Sequence, residues 1–130
     1  MSSALTPHAN LWLERDDRVV LSSWRVRLLE AIEETGSISA AAERMQVQYR
    51  CAWDKLEEME TGLGLRLVDR QVGGPRGGGA RLTACGRDYV ARFHQFAQGI
   101  ETLIERQFHE CFTILGQPIN AGLPDPEAPC

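Results

Sequence analysis

The chain has 130 residues, of which 25% are charged and 43% hydrophobic, and its formal net charge is −4. This size predicts one domain with a sizeable core, and no apolar run approaches the roughly 20 residues that a membrane span needs. The first residues lack the basic and apolar segments of a signal peptide, so we expect a cytoplasmic protein. The composition predicts a flexible arm at residues 1–9, a folded domain at 10–115 and a flexible tail at 116–130.

The charges are unevenly distributed along the chain. Between residues 61 and 92 six arginines stand against two aspartates, whereas between 93 and 130 one arginine stands against five acidic residues. The distribution of charge, rather than its sum, determines whether a surface can face a polyanion. The arginine-rich half could therefore face phosphates, while the acidic half faces solvent or a partner.

The first predicted elements are a small hairpin and a helix. Short apolar runs at residues 11–14 and 18–21 predict the two strands of the hairpin. Ser22 and Ser23 are good N-cap residues for a first helix, and Gly36 is suited to end it. The helical spacing of the apolar residues places Arg25 on the outer face of this helix.

Two further helices with a short turn between them follow. Ser37 or Ser39 is expected to cap the second helix, and Gln46-Val47 makes the turn. The third helix is predicted from about Gln48 to Glu60, with Gly62 stopping it. Glu57, Glu58 and Glu60 are interpreted as a solvated helix end. The residues predicted to face inward are mostly small or apolar: Ala41, Ala42, Met45, Ala52, Leu56 and Met59.

This arrangement is typical of a helix-turn-helix, whose second helix places its N-terminal part in the DNA major groove. Arg50 can form two parallel hydrogen bonds to guanine or phosphate, and Gln48 can pair with adenine. Trp53 has an alternative interpretation as a core residue. The residues of these two helices predicted to contact DNA are Ser37, Ser39, Gln48, Tyr49, Arg50, Trp53 and Asp54.

A glycine-rich hairpin is predicted after the third helix. Residues 63–70 lead into one strand, 73–79 form the tip and 80–82 return. The tip has no GK[ST] ending and no helix directly after it, so it is not a phosphate-binding loop of the P-loop kind. We expect a wing that brings Arg70, Arg76 and Arg81 to DNA; a plain flexible linker is the alternative.

A long last helix is predicted from residue 84 to about 115, with Thr83 as its cap. Its apolar stripe has near-heptad spacing and is too apolar for a lone exposed helix, which favours a homodimer. Folding of the helix back onto its own domain is the alternative. The residues predicted to form the dimer contact are Phe93, Phe96, Ile100, Leu103, Ile104 and Phe108.

No catalytic or metal-binding constellation is predicted. The three histidines are scattered, and no serine, cysteine or carboxylate lies near one of them in a nucleophilic or acid-base pattern. His109-x-Cys111 has no second ligand pair at metal spacing. We therefore expect no enzyme activity, no metal and no cofactor.

The chain resembles the DNA-binding domain of the ModE-type molybdate-responsive regulators, and more generally that of the LysR-type regulators. The resemblance covers roughly residues 20–110. It implies dimers that bind operator DNA when molybdate occupies C-terminal domains, and those domains are expected to be absent here. The segments that carry the resemblance are 36–42, 47–70 with Ala52-Trp53-Asp54 and Glu58-Met59, 73–83, and Gly86.

The sequence thus predicts a mainly α fold with a small β wing, that is, a winged helix-turn-helix followed by a long C-terminal dimerisation helix. The expected function is sequence-specific binding of double-stranded DNA by a homodimeric transcriptional regulator. Two alternatives remain at this point. One is a protein-interaction module that kept the fold, and the other is a module that binds molybdate or another oxyanion.

Overall fold

The structure, a computed structural model, describes residues 4–71 and 79–112. Within these ranges the strands form two antiparallel pairs, β1 with β2 and β3 with β4. A mainly α fold with a small β wing and a long last helix is thereby confirmed. The elements in chain order are β1 (Trp12–Arg15), β2 (Arg18–Ser22), α1 (Ser23–Thr35), α2 (Ile38–Arg44), α3 (Tyr49–Leu63), β3 (Val68–Gln71), β4 (Gly79–Leu82) and α4 (Ala84–Phe112).

The predicted N-terminal hairpin is present and turns through two aspartates. Asp16 and Asp17 have φ angles of 54° and 63°, and Arg15 pairs with Arg18 across the turn. Two consecutive left-handed residues match the right-handed twist of the flanking strands, and aspartate tolerates this conformation better than most residues. The polar turn therefore determines the register of the two pairs next to it, and an irregularity between Leu13 and Glu14 shifts the register of the rest.

Helix α1 has the bounds that its capping residues predict. The Ser22 side chain accepts a hydrogen bond from the backbone N–H of Arg25 at 3.1 Å. At the other end Gly36 has a φ of 83° and donates its N–H to the carbonyl of Ile32 at 2.9 Å. Leu28, Leu29 and Ile32 are completely buried, so α1 lies at the centre of the core.

Arg25 corrects the prediction that it lies on the outer face of α1. Arg25 is only 2% exposed, and its Nη2 atom donates a hydrogen bond to the Oε1 atom of Glu58 at 2.8 Å. Glu58, expected in a solvated helix end, is indeed half exposed, and it also joins α3 to α1. A long side chain can cross the core boundary in this way because its aliphatic stem is apolar while its head is paired.

The end of α3 also differs from the prediction. The helix continues past Gly62 to Leu63 and ends at Gly64, whose φ is 73°. A Cβ atom on Gly62 would lie 2.8 Å from a methyl carbon of Val20, and the carbonyl of Gly62 accepts a hydrogen bond from Arg15 at 2.8 Å. Gly62 thus allows the hairpin to pack closely on α3, whereas Gly64 provides the left-handed residue that ends the helix.

Thr83 caps α4, as predicted, and also fixes the helix to the segment before β3. Its hydroxyl accepts from the N–H of Gly86 at 2.9 Å and donates to the carbonyl of Arg66 at 2.8 Å. Its own N–H donates to the carbonyl of Leu67 at 2.9 Å. A Cβ atom on Gly86 would lie 2.2 Å from that carbonyl oxygen. The first turn of α4 therefore touches backbone at a point where only glycine fits.

Several predicted boundaries fall at the limits of the described residues. Residues 4–9 of the predicted arm are in neither helix nor strand. Helix α4 extends to Phe112, the last described residue, so its predicted end near 115 and the predicted tail at 116–130 lie outside the described residues. The same holds for most of the predicted wing tip.

Candidate nucleic-acid interface

Helices α2 and α3 meet through alanine side chains. Ala41, Ala42 and Ala52 are at most 2% exposed, and their small size lets the two helices approach closely. In the turn, the N–H of Val47 donates to the carbonyl of Ala42 at 3.0 Å, and Gln46 adopts a φ of 59°. This tight, left-handed turn sets the angle between the helices, and it leaves the beginning of α3 exposed to solvent.

The two serines predicted to contact DNA have different environments. Ser37, rather than Ser39, caps α2, because its hydroxyl accepts from the N–H of Ala40 at 2.9 Å. Ser39 lies in the first turn of α2 and is exposed. Ser37 therefore supports the helix that precedes α3, whereas the hydroxyl of Ser39 faces solvent.

The first turns of α3 bring together most of the predicted contact residues. Gln48 precedes the helix and its side chain makes no capping hydrogen bond. Tyr49 is 51% exposed and its ring stacks on Trp53 with centroids 6.2 Å apart. The Arg50 side chain is 81% exposed, and its Nε atom lies 3.2 Å from Asp54 one turn later. An amide, a phenol ring and a guanidinium thus share one exposed surface.

Arg70 departs from its predicted role as an exposed DNA contact. Its side chain is 18% exposed, and its Nη2 atom donates to Glu60 at 3.0 Å. The guanidinium carbon lies 4.6 Å from the centre of the Trp53 ring. Trp53 packs partly against the core, so it has features both of a core residue and of a surface residue that could contact DNA.

Glu60 corrects its interpretation as part of a solvated helix end. Its carboxylate, 14% exposed, accepts from the backbone N–H groups of Leu67 and Val68 at 2.8 and 3.1 Å as well as from Arg70. A carboxylate near the C-terminal end of a helix opposes the helix dipole. That unfavourable position was the available signal that Glu60 is held by partners elsewhere in the fold.

Of the wing arginines predicted to contact DNA, Arg81 is the exposed one among the described residues. Arg81 lies on β4, where it pairs with Asp69 of β3 in the strand register, and it is exposed. Arg76, predicted at the wing tip, lies outside the described residues. The described part of the wing therefore presents an exposed Arg81 opposite an exposed Asp69, beside an Arg70 that faces inward.

The predicted dimer residues on α4 fall into two groups. Phe93 is 5% exposed and belongs to the core of its own chain, so it offers no surface to a partner and corrects that part of the prediction. Phe96 and Leu103 are each 45% exposed. Ile100, Ile104 and Phe108 are half-buried. The later part of α4 thus carries an apolar face that the described residues leave open to solvent.

Two negative findings concern the described residues only. In 4–71 and 79–112, no three histidine, cysteine or acidic side chains are grouped so that they could hold a metal ion. None of the helices in those ranges is long and apolar enough to cross a membrane.

An exposed helix start behind a tight turn, followed by a two-stranded hairpin, defines a winged helix-turn-helix domain. Residues 24–87 match the family model described as "Bacterial regulatory helix-turn-helix protein, lysR family". The DNA-binding domain of CbnR, solved in complex with DNA, has a TM-score of 0.52 and 22% identity, and the match covers 66% of this chain and 93% of that one. At this identity the likeness supports the fold alone.

Curated relatives agree on a narrower group. The molybdenum transport protein ModE of Azotobacter vinelandii is 36% identical over 113 residues, which are 87% of this chain and 42% of the relative. The transcriptional regulator ModE of Haemophilus influenzae is 41% identical over 85 residues, 65% of this chain and 32% of the relative. The DNA-binding transcriptional dual regulator ModE of Escherichia coli is 35% identical over 88 residues, 68% of this chain and 34% of the relative.

Residues 24–87 therefore resemble the helix-turn-helix domain of the lysR family. The curated relatives narrow this similarity to ModE-like proteins, which confirms the resemblance seen in the sequence. The chain spans about a third to two fifths of the length of these curated relatives.

Proposed function

We propose that this chain is the DNA-binding unit of a transcriptional regulator and that it binds double-stranded DNA as a homodimer in the cytoplasm. The observation that carries the proposal is the exposed start of α3, where Gln48, Tyr49 and Arg50 project from a helix held by its own domain. Amide and guanidinium groups at this position of a helix-turn-helix are suited to base edges and phosphates in the major groove.

The homodimer is supported by the open apolar face of α4. Phe96 and Leu103 remain 45% exposed, with Ile100 and Ile104 half-buried beside them. Removal of such a face from water is favourable by roughly 25 cal/mol per Å² of apolar area. A two-fold dimer implies a palindromic operator with half-sites about one helical turn, roughly 34 Å, apart.

Selection of bound sequences from a random double-stranded DNA pool tests the proposal. We expect a palindromic site, and we expect Arg50→Ala to weaken its binding by about 1–3 kcal/mol, with a smaller loss on random DNA. Arg92→Ala is a matched control, because Arg92 forms the same kind of exposed pair one turn from Asp88 on α4. Failure to enrich any sequence would contradict the proposal.

A protein-interaction module is the second candidate, favoured by one observation. Asp54 lies 3.2 Å from Arg50 and partly neutralises the charge that would face DNA. A gel shift at low salt separates the candidates, because phosphate contacts are strongest when few counterions compete. The absence of any shift under that condition would favour the interaction module.

Whether this chain itself binds an oxyanion is a separate question, which arises from the molybdenum-related names of its relatives. Those names belong to proteins of which this chain spans only part. Thermal unfolding with molybdate, tungstate, sulfate and phosphate tests whether this chain itself binds one of them. A molybdate-specific rise in unfolding temperature would assign the sensing step to this chain, whereas equal behaviour in all four salts would leave it with DNA binding alone.

A further inference from the structure

Glu60, Arg70, Trp53 and Tyr49 form a continuous cluster, here called the wing-root cluster, between the wing and the start of α3. Glu60 lies near the C-terminal end of α3, and one carboxylate oxygen accepts from the N–H groups of Leu67 and Val68. Its other oxygen accepts from Arg70 of β3 at 3.0 Å. One carboxylate thus holds both the backbone and a side chain at the root of the wing.

The cluster continues from the wing to the surface of α3. The guanidinium of Arg70 lies over Trp53 at 4.6 Å, within the range of a cation–π contact. Trp53 in turn stacks on Tyr49, with 28° between the ring planes. Tyr49 is 51% exposed. The series of contacts thus runs outward from the largely buried Glu60 and Arg70, and it ends at the Tyr49 ring on the proposed DNA-binding surface.

Packing alone does not explain why two charged residues, Arg70 and Glu60, occupy this largely buried position. The side chains of Arg70 and Glu60 are only 18% and 14% exposed, so both charged groups have lost much of their hydration. Arg70 also has a buried Nε atom with no hydrogen-bond partner among the described residues. An apolar pair of similar volume is often as stable as a buried ion pair, whereas the ion pair fixes one geometry. Its specific contribution here is to orient β3 against α3.

We infer that Arg70 and Glu60 are positioning residues, which set the wing at a fixed distance and angle from the start of α3 and act on Tyr49 through Trp53. The inference rests on the proposed function, because it assigns the two DNA-binding elements one shared support. It also reassigns Arg70, which then acts on DNA through its neighbours. The planar guanidinium is essential to this role, because its edge must donate to Glu60 while its face lies against Trp53.

A double-mutant cycle on DNA affinity tests the inference. Arg70→Gln removes the positive charge of the cluster, and Arg81→Ala removes an exposed side chain of β4 that is proposed to contact DNA. If Arg70 positions the wing, the loss caused by Arg81→Ala shrinks in the Arg70→Gln background, with a coupling of at least about threefold in affinity. If Arg70 is an independent phosphate contact, the two losses multiply, and the inference is wrong.

Two further measurements keep the test decisive. Arg70→Lys retains the charge without the planar fork, so we expect it to fold and to show the same coupling; affinity equal to wild type would contradict the inference. In nuclear magnetic resonance spectra, the indole N–H signal of Trp53 should move in Arg70→Lys while that of the core residue Trp24 stays. A wild-type chain that binds no DNA would refute the proposed function, and an unmoved Trp53 signal would refute the inference by itself.

Discussion

Arg25 and Glu58 join the central helix to the helix that is proposed to enter DNA. Their Nη2 and Oε1 atoms lie 2.8 Å apart, and the Arg25 side chain is 2% exposed while that of Glu58 is 52% exposed. The pair is asymmetric, because removal of the carboxylate takes one partner from a buried guanidinium, whereas removal of the arginine leaves a carboxylate that water can reach.

From this asymmetry we expect Glu58→Ala to lower the free energy of unfolding by about 1–2 kcal/mol, below the range for a fully buried pair because Glu58 is half exposed. Urea denaturation followed by circular dichroism measures the change. Glu57→Ala is the matched control, since Glu57 is the exposed preceding residue and should change stability by less than about 0.5 kcal/mol. Equal effects of the two substitutions would show that the pair contributes nothing specific.

Asp54 should restrain the affinity of the DNA-binding surface. Its carboxylate lies 3.2 Å from Arg50, so Asp54→Asn removes a negative charge from the surface that would meet phosphates. We expect tighter binding to random DNA, by about three- to tenfold at low salt, and a lower ratio of specific to random affinity. Asp88→Asn, in the equivalent pair on α4, should leave both affinities unchanged. Weaker binding to the selected site alone would instead mean that Asp54 contacts a base.

The apolar face of α4 should be required for assembly. Leu103→Asp combined with Ile104→Asp places two charges where a partner would have to bury them, so we expect a monomer with weaker DNA binding. Leu103 is 45% exposed in the single chain, so the domain itself should still fold. Light scattering at micromolar concentration gives the mass, with Thr102→Asp as the exposed control on the same helix. A wild-type chain of monomer mass would refute the dimer and its palindromic operator.

Gly86 and Gly99 provide opposite tests within one helix. Gly86→Ala would place a methyl group 2.2 Å from the carbonyl oxygen of Leu67, so we expect a loss of about 1–3 kcal/mol from overpacking against backbone. Gly99 has no atom within 4 Å of a Cβ, and Gly99→Ala should therefore stabilise the helix by about 0.5–1 kcal/mol. Thermal or urea unfolding of both variants checks the pair; a neutral Gly86→Ala would show that the contact relaxes at little cost.

The sequence predicted the elements best where one local signal determined them. Ser22, Gly36 and Thr83 are capping residues whose roles depend on their immediate neighbours, and all three act as predicted. The end of α3 was misplaced because two glycines, Gly62 and Gly64, lie close together. Which of them adopts a left-handed φ depends on the packing of Gly62 against Val20, a contact distant in sequence.

Tertiary pairing accounts for most of the remaining differences. Arg25 and Glu60 lie at positions that the helical periodicity assigns to the polar, solvent-facing side of their helices. Each is nevertheless held by a partner from another element. Phe93 was grouped with the dimer stripe because near-heptad spacing looks like one continuous face. The beginning of the stripe lies where α4 packs against the core, whereas beyond Ala97 none of the described residues of α4 packs against it. The roles of the remaining predicted site residues stay predictions.

The attachment of α4 through Thr83 and Gly86 makes this helix a lever. The last described residue of α4 that packs against the core is Ala97, and from there the helix extends to Phe112, about 22 Å further at 1.5 Å per residue. A tilt of about 5° about Ala97 would therefore displace the far end by roughly 2 Å. In the proposed dimer, small changes at the root of the wing would be converted into changes in the separation of the two DNA-binding helices.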